Sequence, residues 1–164
     1  MKKRSSTLYL TRGAIIAALY VALTFVSSLM GLSSGAIQLR LSEALTILPV
    51  IFPEAVPGLF VGCILANLLT SAALLDIVLG SLATLIGATV AYFLRRLPER
   101  IIWLATLPTV ISNAVIVPFV IIFAYGATDA YWFLFLTVGA GEIVSATVFG
   151  AILYKLATRA MKKR

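Results

Sequence analysis

The sequence contains no histidine and a single cysteine, Cys63. Without histidine, the usual zinc sites and every histidine-dependent catalytic dyad are excluded, and one cysteine cannot form a disulfide within the chain. The chain also lacks a glycine-rich phosphate loop ending in Gly-Lys-Ser or Gly-Lys-Thr. We therefore predict a protein that is not an enzyme, that holds no metal or cofactor, and that does not itself hydrolyse ATP.

Charged residues are scarce as well. They make up 12% of the chain, whereas about a quarter is usual in a soluble domain. Hydrophobic residues make up 62%, and the mean hydropathy is +1.10. The net charge is +7, but the basic residues lie at the edges of apolar runs, which is typical of membrane orientation and not of a nucleic-acid groove. The composition indicates an integral membrane protein whose surroundings are the lipid bilayer, with no nucleic-acid partner.

The apolar residues fall into six runs, which predict an all-α bundle of six transmembrane helices. The whole chain, 1–164, then forms one transmembrane domain with a short basic head (1–12) and a short basic tail (157–164). No cleavage-site pattern follows the first run, so we expect it to be a retained span and not a signal peptide. The six predicted spans are approximately 13–30, 41–52, 58–69, 76–94, 101–124 and 131–156.

The second run is short for a crossing and contains Pro49, so its assignment depends on the distribution of charge. With six crossings, every lysine and arginine except Arg40 falls on the cytoplasmic side, as the positive-inside rule requires. With five crossings, the basic head would lie opposite the basic tail. We therefore predict six crossings, cytoplasmic N- and C-termini, and a second helix that is short or broken at Pro49.

The stretch Gln-Leu-Arg-Leu-Ser-Glu-Ala-Leu, residues 38–45, places ionic groups inside this apolar chain. If it is helical, Arg40 and Glu43 lie on one face. A charge in the middle of a bilayer costs about 2.5–3.5 kcal/mol, so residues kept there usually face a cavity or a partner. Gln38 enlarges this polar patch. The alternative is that Arg40 marks the membrane surface and Glu43 is its solvated partner.

Other polar residues lie in the later runs, and the predicted orientation brings them into the outer half and the middle of the membrane. Asn67 belongs to the third run, Asp76 to the fourth, Asn113 to the fifth and Glu142 to the sixth. They predict a pocket that is entered from outside and that suits a small polar molecule with several hydrogen-bond donors. Asn67 and Asn113 could instead form interhelical hydrogen bonds, and Asp76 could be a helix N-cap.

Aromatic residues near the outer ends of the runs could stack on a flat ligand ring, although some of them must belong to the interfacial belt. Those residues are Phe25, Tyr125, Tyr131, Trp132 and Phe135.

The first run differs from the others, since we find no polar residue deep within it. Instead it carries Ala14, Ala18 and Ala22 at a spacing of four, with Ala17 beside them. Small residues at that spacing let another helix approach closely, which predicts a docking face for a second membrane protein. The alternative is packing against the chain's own helices.

Together these residues resemble the queuosine-precursor transporter (QueT-like) family, whose members are substrate-binding S subunits of energy-coupling factor (ECF) transporters. The resemblance covers nearly the whole chain. It rests on the stretch 38–45 followed by Leu48-Pro49, on Gly62-Cys63 with Ala66-Asn67, on Asp76 with the stretch 80–85, on Pro108 with Asn113, and on Gly139 with Gly141-Glu142.

The resemblance implies an S-component fold in a prokaryotic cell membrane and capture of a 7-deazaguanine-type base from outside. The loop between the first two helices would act as a lid. The alanine face would dock on a membrane coupling subunit, and two cytoplasmic ATPases would drive transport. An S subunit for another vitamin and a stand-alone secondary transporter remain alternatives.

The same resemblance gives each candidate residue a role. Glu142 would pair with the donor edge of the base, and Asn67 or Asn113 would read its carbonyl or ring nitrogen. Arg40 and Glu43 would hold the lid, and Asp76 could meet an aminomethyl substituent.

Overall fold

The computed structural model describes residues 6–32, 38–70 and 72–162, and within them every regular element is helical. Six helical segments follow one another, as the sequence predicts. We number them as helix 1 (Ser6–Leu29), helix 2 (Leu41–Val50), helix 3 (Ala55–Leu69), helix 4 (Leu74–Arg96), helix 5 (Glu99–Tyr125) and helix 6 (Tyr131–Lys162).

Helices 1, 4, 5 and 6 are long and apolar enough to cross a membrane, whereas helices 2 and 3 are shorter. Helix 2 has ten residues in 3-10 geometry and contains Pro49. At about 2.0 Å of rise per residue it spans about 20 Å, which is less than the hydrocarbon thickness of about 30 Å. The prediction of a short second helix that contains a proline is confirmed.

Three helix ends differ from the predicted limits. Helix 1 begins at Ser6 and not near residue 13, and helix 6 continues to Lys162 instead of ending near residue 156. Most of the basic head and tail is therefore helical. Hydropathy marks where a helix is apolar, but its backbone hydrogen bonds continue into the polar zone beyond the lipid. Helix 3 starts at Ala55, since a proline such as Pro57 is tolerated in a first turn.

Helix 2 lies at the centre of the bundle. Its residues from Ser42 to Pro49 are all buried, and it contacts every other helix. A short element in this position brings its polar side chains into the protein interior and not into lipid. The groups on helix 2 must therefore find partners on the surrounding helices.

Small residues bring helices 1 and 3 close together. A Cβ atom added at Gly58 would lie 2.7 Å from the Gly13 carbonyl oxygen, and one added at Gly62 would lie 3.0 Å from the Ala17 Cα atom. Neither position leaves room for a side chain, so the two backbones touch. Ala17 therefore packs against helix 3 of its own chain.

The opposite side of the bundle from the cavities described below is closed by an ion pair. Arg12 of helix 1 donates a hydrogen bond of 3.2 Å to Glu54, just before helix 3. The Glu54 side chain is fully buried, and the Arg12 guanidinium lies 5.2 Å from the centre of the Phe52 ring. This pair fixes the start of helix 1 against the turn between helices 2 and 3.

Candidate functional site

Two neighbouring cavities occupy one half of the bundle. The larger has a volume of about 350 Å³ and lies where helices 1 and 5 end and helix 4 begins. The smaller, of about 10 Å³, lies deeper between helices 2, 4, 5 and 6. Gln38, Arg40 and Val117 line both cavities, so the two are adjacent. The larger volume falls within the usual range for small-molecule sites, about 300–1,000 Å³.

All seven residues that the sequence suggests for the site line one of these cavities. Gln38, Arg40, Asn67 and Asp76 line the larger one. Gln38 and Arg40 also line the smaller one. There they are joined by Glu43, Asn113 and Glu142.

Arg40 pairs with Asp76 and not with Glu43. The Arg40 Nη2 atom lies 3.6 Å from Asp76 Oδ2, and both side chains are largely buried. The expectation that Arg40 and Glu43 share a helical face is wrong. Helix 2 begins only at Leu41, and Arg40 precedes it in an extended conformation with φ −108° and ψ 105°.

Asp76 is a pocket residue and not a helix cap. Helix 4 is preceded by Ala73, whose side chain makes no capping bond. The Tyr125 hydroxyl donates to Asp76 Oδ2 at 3.0 Å and accepts from the Ala73 amide at 3.2 Å. The other carboxylate oxygen, Oδ1, is buried and has no hydrogen-bond partner in the described part of the chain.

Glu43 is held by a residue of helix 1. The Tyr20 hydroxyl donates a short hydrogen bond to Glu43 Oε1, and both side chains are 1% exposed. Next to this pair, Thr24 Oγ1 donates to Ser42 Oγ at 2.9 Å. The second oxygen of Glu43, Oε2, has no partner among the described residues.

The expectation that helix 1 has no deep polar residue is therefore wrong. Tyr20, Thr24 and Ser27 are buried on one face of it. Their spacing of four and three residues is the signal that could have identified this face, because it places all three on one side of a helix.

Asn113 of helix 5 and Glu142 of helix 6 both line the smaller cavity. Both side chains are buried, and the Asn113 amide interacts with the carboxylates of Glu43 and Glu142. Glu142 Oε2 has no hydrogen-bond partner in the described structure. Beside it, a Cβ atom at Gly141 would overlap the Gln38 carbonyl oxygen, so Gly141 lets the segment before helix 2 pack directly on helix 6.

Asn67 combines the two roles that the sequence leaves open. Its amide donates to the Asp76 carbonyl oxygen at 3.2 Å, which is a bond between helices 3 and 4. It also lines the larger cavity. Its amide nitrogen lies 3.8 Å from the Cys63 sulfur, and this buried thiol accepts from Thr84 at 3.5 Å.

Of the aromatic residues considered for stacking, Tyr125 lines the larger cavity. Tyr131, Trp132 and Phe135 instead contact one another, and Trp132 is 70% exposed. That exposure fits a membrane-interface residue.

The comparison with protein families agrees with this architecture. The model of the QueT transporter family matches residues 10–159, which is nearly the whole chain. This protein belongs to the QueT transporter family. Its apolar helices make this QueT family member a multi-pass membrane protein.

The chain is similar to the queuosine precursor transporter QueT of Lactococcus lactis subsp. cremoris (strain MG1363). It is 34% identical over 102 residues, which cover 62% of this chain and 60% of the relative. The chain thus aligns with less than two thirds of that protein's length. No solved structure matches the chain significantly.

In this QueT family member, the alanines of the predicted docking face do not pack inside the chain. Ala14, Ala18 and Ala22 are exposed, whereas the neighbouring Ala17 is buried against helix 3. Ala14 also borders an apolar groove between helices 1 and 3. Docking on this face stays a prediction.

The Tyr20 hydroxyl is expected to stabilise the fold through Glu43. The Tyr20→Phe substitution removes the donor to a buried carboxylate and should lower the free energy of unfolding by about 1.5–3 kcal/mol. Cys63 is 1% exposed, so its reaction with a thiol-specific dye during heating reports unfolding. Tyr9→Phe, on the exposed part of the same helix, is the control and should change stability by less than about 0.5 kcal/mol. Equal stability of the two variants would contradict the role of Tyr20.

Proposed function

We propose that this protein is the substrate-binding S subunit of an ECF-type ABC importer and takes up a queuosine precursor, a 7-deazaguanine or a derivative. Membership of the QueT transporter family and the name of the Lactococcus relative, a queuosine precursor transporter, support the substrate class. The observation that carries the proposal is chemical. Three buried carboxylates, of Glu43, Asp76 and Glu142, line the two neighbouring cavities, and each has an oxygen without a hydrogen-bond partner in the described structure.

Such acceptors suit a ligand that offers donors. The ring N–H and the amino group of a guanine-like edge can donate two parallel hydrogen bonds to one carboxylate. Glu142 is our candidate for this contact, and Asn113 beside it could read the ring carbonyl. Asp76 lines the larger cavity, and its unpartnered Oδ1 atom is our candidate acceptor for a substituent such as an aminomethyl group.

The charge distribution supports entry from outside the cell. Asp76 and the larger cavity lie at the start of helix 4, whereas Arg95 and Arg96 lie at its end. Lys162, at the end of helix 6, lies 3.9 Å from Glu99 at the start of helix 5. By the positive-inside rule this basic end faces the cytoplasm, together with both termini, and the cavity faces outward. We place the protein in a prokaryotic cell membrane, as the bacterial relative suggests.

The remaining parts of the importer would come from other chains. The sequence has no phosphate loop, so two cytoplasmic ATPases and a membrane coupling subunit would supply the work. The exposed alanine face of helix 1 offers a surface on which a helix of the coupling subunit could pack closely. The loop before Gln38 would cover the cavity. Its residues 33–37 lie outside the described part of the chain.

We expect the detergent-solubilised protein to bind radiolabelled 7-deazaguanine or its 7-aminomethyl derivative in preference to riboflavin, thiamine and biotin. Glu142→Gln should weaken this binding by at least about tenfold, since the loss of one charge-assisted bond is worth about 1.5–3 kcal/mol. Glu99→Gln, which changes a carboxylate with a side chain 76% exposed, is the matched control and should bind normally.

Preference for one of the other vitamins would favour an S subunit of different specificity. Equal binding by Glu142→Gln and the native protein would contradict the assigned contact.

The docking prediction separates binding from transport. Ala18→Leu should leave substrate affinity unchanged and reduce uptake into vesicles that also contain the coupling subunit and the ATPases, because a larger side chain prevents close helix packing. Val26→Leu adds bulk at another exposed position of helix 1 and should transport normally. Native uptake by Ala18→Leu would contradict the docking face, and uptake without any ATPase would establish a secondary transporter.

A further inference from the structure

We infer that Glu43 and Glu142 share one proton in the ligand-free protein, and that the donor edge of the substrate displaces this proton on binding. Displacement of the proton by the substrate rests on the proposed function. The shared proton concerns the protein alone and can be tested without a ligand.

The two carboxylates line the same confined space. Glu43 is 1% exposed and Glu142 is 5% exposed, and both line the cavity of about 10 Å³. Each has an oxygen, Oε2, with no hydrogen-bond partner among the described residues. The other oxygen of Glu43 is engaged by Tyr20. A cavity of this size holds about one water molecule, so the substrate cannot occupy it without movement of the walls.

The charges around the pair do not balance two ionised glutamates. Arg40 is the only cation among the described residues that line either cavity, and it pairs with Asp76 at 3.6 Å. The other groups that face the pair are neutral donors or a thiol: Tyr20 from helix 1, Cys63 from helix 3, Thr84 from helix 4 and Asn113 from helix 5. Arg40 lines the same cavity, so one cation faces three buried carboxylates, those of Asp76, Glu43 and Glu142. Two ionised glutamates would then leave an excess of buried negative charge, and such pairs commonly keep one proton.

One shared proton gives both unpartnered oxygens a hydrogen-bond partner. A protonated carboxyl group donates its O–H to the oxygen of the neighbouring carboxylate, so each Oε2 atom gains a partner from a single hydrogen. The Asn113 amide, which interacts with both groups, would hold them side by side. The pair then carries one negative charge and not two.

Substrate binding changes this balance. A guanine-like edge needs an ionised carboxylate to accept its two N–H groups, which remain on the base. The proton therefore leaves Glu142 for water as the edge binds, and no bond within the substrate changes. Since binding releases a proton, affinity should rise with pH, about tenfold per unit while the pair is protonated in the empty protein.

Calorimetric titration of the purified protein with 7-deazaguanine measures how many protons are released on binding. At one pH, the binding enthalpy is measured in phosphate and in Tris buffers, whose different ionisation enthalpies reveal the number of protons released. We expect about one proton per bound ligand for the native protein and close to none for Glu43→Gln, in which Glu142 has no carboxylate partner and is ionised beforehand. Glu99→Gln should behave as the native protein does.

Ligand binding without proton release by the native protein, or equal release by Glu43→Gln, would overturn the inference while leaving the proposed function intact. An affinity that depends on sodium at fixed pH would overturn it as well, because a metal cation would then occupy the pair.

Infrared spectroscopy of the ligand-free protein tests the proton independently. The native protein should show the carbonyl stretch of a protonated carboxylic acid, and Glu43→Gln and Glu142→Gln should each lose it. If 7-deazaguanine does not bind, the proposed function fails, yet this band still decides whether the pair holds a proton. Its absence from the native protein would refute the shared proton.

Discussion

The structure depends on satisfying polar groups that a central short helix brings into the protein interior. Helix 2 is buried from Ser42 to Pro49 and carries Glu43 into the middle of the bundle. Such a carboxylate is tolerated only with partners, and the surrounding helices provide them in part: Tyr20 from helix 1 and Asn113 from helix 5. The second oxygen of Glu43, Oε2, keeps no partner among the described residues, and Glu43 lines the smaller cavity.

Helix 1 has two different faces, one buried and polar and one exposed and rich in alanine. Tyr20, Thr24 and Ser27 are buried and hydrogen-bond to helix 2, whereas Ala14, Ala18 and Ala22 are exposed. Gly13 and Ala17 lie against helix 3, where Gly58 and Gly62 permit backbone contact. Helix 1 thus contributes Thr24 to the wall of the larger cavity on one face and exposes three alanines on another.

Much of this arrangement could be predicted from the sequence, because charge and hydropathy constrain a membrane chain strongly. The six helices, the short second helix at Pro49 and the gathering of polar residues around one pocket all followed from those patterns. The pairing of Arg40 with Asp76 did not, since it depends on helix 2 beginning one residue after Arg40. Tyr20 was missed because a tyrosine in an apolar run gives no signal on its own, and only its helical spacing with Thr24 and Ser27 marks the inward face.

We propose that the buried, partly unpaired carboxylates of this pocket bind a hydrophilic molecule. Mass spectrometry of small molecules that co-purify with the detergent-solubilised protein tests it most directly. The account predicts a donor-rich heterocycle of the 7-deazaguanine class with the native protein and its loss from Glu142→Ala. A native protein that carries no such molecule after purification from cells supplied with it, or a Glu142→Ala variant that retains it equally, would contradict the account.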